Sequence, residues 1–268
     1  SVQTFALEVE TIDLNNTNIK LGNIEYRLIQ PKLNSKYDME ALFATTAGNG
    51  KLTFNPTVMT KDGTYNYILR QVSAPNSYET TALTLIQITF KNGKIVPNNL
   101  TTNEIKTMYN GNVKAKLDTG FNIVDHVIVT VQNTCLEENA FKLKLNVRDI
   151  EDSSIKLNGV SYSITTTNSS NQVRTEKVVT DMNGEVETKI YGNGFLTIKI
   201  EELATKAGYK EETETKEMVL QRVNDELRII SCKPSEIYNT SAYTTQYMKD
   251  ENGSSIGIEV NLASKKKQ

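Results

Sequence analysis

The side chains that could carry out catalysis are few in this sequence. Its one histidine, His126, follows Asp125, and the pair could be drawn as part of a Ser-His-Asp relay. Such a relay needs a positioned nucleophile, and the sequence has no Gly-x-Ser-x-Gly segment to provide one. A histidine at the edge of a strand is the favoured interpretation. We therefore expect no catalytic residue and no enzymatic activity.

Residues that could bind a metal are equally sparse. Cys135 and Cys232 lie far apart and without Cys-x-x-Cys spacing, which argues against structural zinc. They could form one disulfide, but two separate thiols are the favoured interpretation. The acidic stretch Asp250–Gly253 lacks the spacing of a calcium-binding loop and is typical of a hairpin turn. The sequence predicts neither a metal nor a cofactor.

Composition and charge exclude two classes of partner. The chain has 268 residues, 38% of them hydrophobic and 23% charged, and a formal net charge of −2. Acidic and basic residues are interspersed, so there is no broad basic field for nucleic acid, and the short Lys265–Lys267 tail is interpreted as a solvated linker. No apolar run is long enough to span a bilayer. We expect no nucleic acid partner and no membrane insertion of this fragment.

Alternation of apolar and polar residues is the dominant pattern, and it is typical of half-buried strands. It is clearest at positions 5–9 and 141–147, where Phe, Leu or Val occupies every second position. Turn signals rich in Gly and Asn separate such runs, among them those at 48–50 and 183–184. Helical periodicity is weak throughout. The chain is therefore predicted to be all-β and of the β-sandwich type.

The same strand pattern occurs twice. The segment 5–13 matches 141–149, and at the same offset Tyr26 matches Tyr162; later matches pair Gly50 with Gly184 at a slightly smaller offset. A repeated structural unit repeats its core positions, and small differences in loop length explain the drift in offset. Two domains follow, at 1–134 and 137–268, with Tyr26, Tyr67 and Tyr162 in their cores.

Two further motifs occur in both copies. One reads Leu-Gly-Asn-Ile-Glu-Tyr-Arg-Leu at 21–28 and Leu-Asn-Gly-Val-Ser-Tyr-Ser-Ile at 157–164; the other reads Gln-Val-Ser-Ala-Pro-Asn-Ser-Tyr at 71–78 and Glu-Leu-Ala-Thr-Lys-Ala-Gly-Tyr at 202–209. In this order, after a first strand that ends in Asp, they resemble the Cna-B-type repeat of Gram-positive adhesins and pilins. The resemblance covers nearly the whole chain. It implies two tandem Ig-like/prealbumin-like β-sandwich domains.

The resemblance also implies a chemical site, because many such domains form a self-catalysed isopeptide bond between a Lys and an Asn with the help of a buried acid. The positions that match this triad are Thr11, Gln71 and Asn133 in the first copy and Val147, Glu202 and Leu262 in the second. Leu262 is assigned because Ile258 and Val260 occupy the inward face of the same strand. Neither Thr11 nor Val147 carries an amine. We therefore expect no complete triad and two domains held by packing alone.

Two long segments, 96–124 and 230–255, precede the closing strands and together contain four tyrosines. Long connections on a rigid scaffold often bind ligands. One prediction is therefore a ligand surface, and the alternative is an extra hairpin or short helix that caps the sandwich. The tyrosines concerned are Tyr109, Tyr238, Tyr243 and Tyr247.

These expectations together favour a structural and adhesive role. The chain is expected to be a stalk or spacer of an extracellular bacterial surface protein, attached to the cell wall through regions outside this fragment. Its expected partner is an unidentified host or cell-surface protein or glycan. The alternative is an accessory module, glycan-binding or spacer, of a secreted carbohydrate-active enzyme.

Overall fold

The computed structural model describes residues 4–32, 35, 37–57, 61–120, 125–234 and 243–268. Every helix or strand element among these residues is a β-strand, so the all-β prediction is confirmed. The chain divides into two compact units, Ser1–Leu136 (unit 1) and Glu137–Gln268 (unit 2). In the described part of the chain, no helix has the length and apolarity of a membrane span.

Unit 1 is a β-sandwich. Its strands are β1 (Ala6–Asp13), β2 (Ile19–Gly22), β3 (Glu25–Pro31), β4 (Met39–Thr45), β5 (Lys51–Phe54), β6 (Gly63–Gln71), β7 (Thr84–Lys91), β8 (Lys94–Val96), β9 (Glu104–Met108), β10 (Val113–Asp118) and β11 (His126–Asn133). One sheet has the order β5-β1-β11-β10, with β2 also paired to β1. The other has the order β4-β3-β6-β7, with β8 and β9 beside β7. β9 also pairs with β10 and so connects the two sheets.

Unit 2 repeats this arrangement. Its strands are β12 (Ala140–Asp149), β13 (Ser161–Thr167), β14 (Val173–Val179), β15 (Glu185–Tyr191), β16 (Gly194–Ala204), β17 (Lys216–Val223), β18 (Glu226–Lys233), β19 (Tyr243–Lys249) and β20 (Ser255–Ser264). One sheet has the order β15-β12-β20-β19 and the other β14-β13-β16-β17-β18. Each strand of unit 2 therefore has a counterpart in unit 1.

The first and last strands of each unit pair in parallel. In unit 1 the pairing runs from Ala6↔His126 to Asp13↔Asn133. In unit 2 it runs from Lys142↔Gly257 to Asp149↔Ser264. Because two parallel strands point the same way, the chain enters each unit at one end of this pair and leaves it at the other.

A glycine directly precedes β5 in unit 1 and β15 in unit 2, because the backbone of the neighbouring strand lies too close for a side chain. Gly50 and Gly184 both have positive φ, 81° and 69°. A Cβ at these positions would lie 2.9 Å from the Thr11 carbonyl oxygen and 2.6 Å from that of Val147. The two glycines that match in the sequence thus play the same role in both units.

Each unit has its own core, formed by the inward residues of the alternating strands. Tyr26, Tyr67 and Tyr162 are buried, as predicted. In unit 1 the ring of Phe5 packs edge-on against Tyr67 at 5.7 Å and against Phe90 at 5.8 Å. Such edge-to-face contacts add to the burial energy of the core.

The long segments before the closing strands contain strands rather than a helix in their described parts. In 96–124, β9 and β10 form an antiparallel pair, which matches the hairpin alternative. In 230–255, β19 pairs with the closing strand β20. Residues 121–124 and 235–242 of these segments lie outside the described residues.

Candidate functional site

The three candidate positions of unit 1 meet in one buried hydrogen-bond network. The Gln71 amide nitrogen donates to Asn133 Oδ1 at 2.8 Å and to the Tyr26 hydroxyl at 3.0 Å. That hydroxyl lies 2.5 Å from Thr11 Oγ1. All four residues are buried. Strands β1, β3, β6 and β11 thus place these side chains at one end of the core, and we call this group the Thr11–Asn133 network.

The outer atoms of the network also have partners. Asn133 Nδ2 donates to the carbonyl oxygens of Ile12 and Val131, each at 3.2 Å. Gln71 Oε1 accepts a hydrogen bond from Thr81 Oγ1 at 3.0 Å. Burial raises the pKa of Tyr26 to about 12, so its hydroxyl stays protonated at neutral pH. The network has an acceptor amide but no amine to attack it, and its arrangement supports a stabilising role.

The three predicted positions of unit 2 form no such network among the described residues. Val147 and Leu262 are buried register partners on β12 and β20. Glu202 is partly exposed, and its Oε2 accepts the backbone N–H of Glu212 at 2.6 Å. Burial is the main cause that raises the pKa of Glu202. Two of the three candidate positions thus carry side chains that have no acid, amine or amide.

The assignment of Leu262 to the Asn position is wrong. Thr11 pairs with Val131 and Asp13 with Asn133, whereas Val147 pairs with Leu262 and Asp149 with Ser264. Leu262 is therefore the counterpart of Val131, and Ser264 is the counterpart of Asn133. The backbone agrees, because the carbonyls of Asn133 and Ser264 accept equivalent N–H groups from Leu14 and Ile150. Alternation identifies the inward face of a strand, but it does not distinguish positions that differ by two residues.

Unit 2 does contain a buried amine, which the sequence analysis missed. Lys216 is 3% exposed, and its Nζ lies 3.8 Å from a Glu212 carboxylate oxygen, 3.9 Å from one of Glu214 and 5.8 Å above the Tyr243 ring. Within the described residues this amine has no hydrogen-bond partner. The charged stretch around Lys216 suggests exposure. Its alternation with the inward Met218 was the signal that could have placed it in the core.

A second polar contact occurs in both units. The Tyr78 hydroxyl donates to Asp13 Oδ2 and the Tyr209 hydroxyl to Asp149 Oδ2, each at 2.7 Å. In each unit the other carboxylate oxygen accepts two backbone N–H groups from the turn that follows the strand. The Tyr209 hydroxyl is the main cause that lowers the pKa of Asp149. This contact joins the first strand to the segment after the central strand of the opposite sheet.

The tyrosines predicted to form a ligand surface differ in how far they are exposed. Tyr109 is 71% exposed, at a tight turn with φ of 74°, and lines an open groove of about 520 Å³ on the β9–β10 hairpin. Tyr247 is partly exposed, and its hydroxyl accepts the Ile229 N–H at 2.7 Å. Tyr243 is fully buried, so its assignment to a ligand surface is wrong: it faces the core from β19. Tyr238 lies outside the described residues.

The remaining candidate groups are the histidine, the acidic turn and the two cysteines, and their contacts are those of strand ends and turns. His126 begins β11 beside Asp118, with Nδ1 3.6 Å from a carboxylate oxygen, and Asp125 accepts the Ile95 N–H. Asp250 caps a hairpin turn by accepting the N–H groups of residues 252 and 254. Both cysteines are free thiols. The described residues contain no group of three or more His, Cys, Asp or Glu that could hold a metal ion.

No protein-family model matches the sequence, and no curated protein sequence matches it. Similar solved structures include the pilus adhesin SpaC of Lactobacillus rhamnosus GG in its open conformation, with 11% identity and a TM-score of 0.39 over 98% of this chain and 32% of the adhesin chain. A Streptococcal ancillary pilin has 14% identity and a TM-score of 0.30 over 99% of this chain and 63% of its own. The shaft pilin SpaA of L. rhamnosus GG has 11% identity and a TM-score of 0.31 over 100% and 99%. This chain thus spans about a third of the SpaC adhesin, and similarity at this level does not assign it to a family.

We expect the intact mass of the purified chain to equal the mass of its sequence. Formation of an isopeptide bond from Lys and Asn releases one ammonia molecule, and neither candidate site holds the required amine beside an amide. Mass spectrometry under denaturing conditions makes the measurement. A mass lower by one ammonia per unit would show that a reacting trio has been misplaced.

Replacing Asn133 by Ala should destabilise unit 1 by about 2–3 kcal/mol, because the Gln71 amide and two backbone carbonyls lose a buried partner. The matched control is Ser264→Ala at the equivalent position of unit 2, where we expect a loss below about 1 kcal/mol. Urea denaturation measures both losses. Equal losses would contradict the inference that the network stabilises unit 1.

Tyr209→Phe should weaken the chain most at neutral pH. The hydroxyl lowers the folded-state pKa of Asp149 below the ordinary 3.8, so its contribution is fully present above that pH and is lost as pH falls through the folded pKa. The stability difference between wild type and variant should therefore shrink on acidification. Urea melts from neutral to acidic pH measure this difference. Tyr247→Phe, which removes a hydroxyl that accepts a backbone N–H, serves as the pH-independent control.

Proposed function

We propose that the chain is a non-catalytic structural segment, a stalk or spacer, of a bacterial cell-surface adhesin or pilin-like protein. It would consist of two Cna-B-like β-sandwich domains, at 1–134 and 137–268, without complete isopeptide triads. The proposed location is extracellular, and the proposed partners of the whole protein are host or cell-surface proteins or glycans. The observation that carries the proposal is the parallel pairing of the first and last strands in each unit.

Parallel terminal strands suit a segment that bears tension. A force on the two ends of unit 1 pulls β1 and β11 in opposite directions along their common axis. The evenly spaced hydrogen bonds between parallel strands are then loaded together rather than one after another. Since rupture must break the whole ladder at once, the barrier to forced unfolding is high, and that barrier governs mechanical lifetime. Unit 2 has the same geometry between β12 and β20.

The side chains along these ladders support the same role. Leu7 and Val9 on β1 face the core beside Val127 and Val129 on β11, and all four are fully buried. Sliding one strand past the other would expose this apolar surface, which costs about 25 cal/mol for each Å². Hydrogen bonding and apolar packing thus resist the same displacement. This resistance comes from non-covalent contacts, so a unit that unfolds under load can refold.

Single-molecule force spectroscopy tests this function. A chain held at its two ends should unfold in two steps, each adding roughly 45 nm of contour length at about 3.6 Å per residue. Cys135 and Cys232 are replaced by Ser so that handles attach only where intended. A single unfolding step would contradict the proposal. So would two unfolding steps at forces as low as those that unzip a β-hairpin.

The matched control changes only the direction of pulling on unit 1. Handles at Thr4 and Gly120 lie at the same end of the β1–β11 pair, so force there opens the ladder one hydrogen bond at a time. We expect unfolding at a several-fold lower force in this geometry. Equal forces in the two geometries would show that the parallel ladder is not the mechanical element.

A further inference from the structure

The outer face of the β4-β3-β6-β7-β9 sheet of unit 1 carries a continuous line of apolar side chains. The strand register connects them one to the next, and each is at least partly exposed to solvent. In order across the sheet they are Ala41, Ile29, Ile68, Leu85 and Met108. We call this line the apolar row. Four strand spacings of about 4.8 Å make it roughly 19 Å long.

Unit 2 provides an internal control, because its register defines the same five positions. There the residues are Thr175, Thr165, Lys199, Glu217 and Lys233. All five are polar or charged, as expected for a sheet face in contact with water. The scaffold therefore does not require apolar side chains at these positions. The apolar row is a feature of unit 1 alone.

The line next to the apolar row is aromatic and basic. Phe43, Arg27 and Arg70 are register neighbours on β4, β3 and β6, and Phe43 is 61% exposed. Neither guanidinium forms an ion pair with a carboxylate of the described residues. The equivalent positions of unit 2 are Lys177, Ser163 and Glu201, which have a different charge pattern. Tyr109, which follows Met108 in the chain, is also exposed.

We propose that the outer face of this sheet is a docking surface for a segment of a partner protein whose apolar side chains are flanked by carboxylates. Apolar side chains of the partner would cover the apolar row and Phe43. Its carboxylates would pair with Arg27 and Arg70, since guanidinium groups bind carboxylates through two parallel hydrogen bonds. Exposed arginine and aromatic side chains beside an apolar patch are the composition of interface hot spots. This proposal does not depend on the mechanical role proposed above.

The probe is a fluorescein-labelled amphipathic peptide with leucines along one face and glutamates on both sides of them. Its counterpart carries lysines in place of the glutamates. Binding to the full chain is followed by fluorescence anisotropy, and the site is located by amide chemical-shift changes. We expect the acidic peptide to bind and to perturb β3, β6 and β7, and the basic peptide to bind about tenfold more weakly or not at all. Failure of the acidic peptide to bind at millimolar concentration, or binding elsewhere, would overturn the proposal.

Two variants transfer the surface of unit 2 to unit 1. Ile29→Thr with Ile68→Lys and Leu85→Glu removes the apolar row, and Arg27→Ser with Arg70→Glu removes the basic groups. Each should weaken binding of the acidic peptide by about tenfold or more, because one buried aliphatic side chain or one paired arginine already accounts for that factor. The control replaces Thr165, Lys199 and Glu217 by Ala and should bind as wild type does. Loss of binding in this control would overturn the assignment of the site.

Two further measurements separate docking from other roles. If the apolar row serves binding, its removal should leave the melting temperature within a few degrees of wild type; a fall as large as that of a core substitution would show that the row is structural. Sedimentation equilibrium should show a monomer at micromolar concentration. A dimer that the Ile29, Ile68 and Leu85 substitutions dissociate would show that a second copy of the chain covers the face, and would overturn the proposed partner.

Discussion

The parallel ladder between the first and last strands is the constraint on which each unit depends. A parallel pair cannot be closed by a tight turn, because the chain must cross from one end of the first strand to the start of the last. All other strands of the unit lie within that crossing and form the two sheets that enclose the core. The ladder therefore fixes where the chain enters and leaves, which side chains face inward, and where the ends of β1, β6 and β11 meet. The Thr11–Asn133 network lies at that meeting point.

The two units fill this meeting point in two different ways. Unit 1 buries the polar side chains of Thr11, Gln71 and Asn133, and such burial is favourable only when nearly every donor and acceptor finds a partner. Unit 2 has Val147 at the position of Thr11, which removes a buried hydroxyl and its need for a partner. Its acid, Glu202, is turned toward the backbone of Glu212 instead. Unit 2 nevertheless buries the Lys216 amine, which has no hydrogen-bond partner among the described residues. The ladder between the first and last strands is the same in both units.

Sequence reasoning located the strands because alternation is local and periodic, and it predicted two copies of one unit from repeated core positions. The resemblance to the Cna-B-type repeat, and not alternation, is what grouped Thr11, Gln71 and Asn133 as one candidate site. Sequence reasoning could not fix the register of β20, so Leu262 was assigned where Ser264 lies. It also placed Tyr243 in a loop, because β19 continues with Thr, Thr and Gln and lacks a clear apolar alternation. Lys216 was missed although its strand alternates clearly, because the charged residues around it suggest an exposed segment.

Two units with matching strand order in one chain separate what the fold requires from what it merely permits. Gly50 and Gly184, and the contacts of Tyr78 with Asp13 and of Tyr209 with Asp149, are the same in both units, as expected for features on which the ladder depends. The outward positions of the sheets are free of that requirement, because a side chain there meets water whichever residue it is. Ile29, Ile68 and Leu85 nonetheless form a line on that face in unit 1, where exposed apolar area carries a risk of aggregation. The fold does not require this exposed apolar area, and unit 2 avoids it. Its presence in unit 1 therefore points to a role in binding rather than in folding.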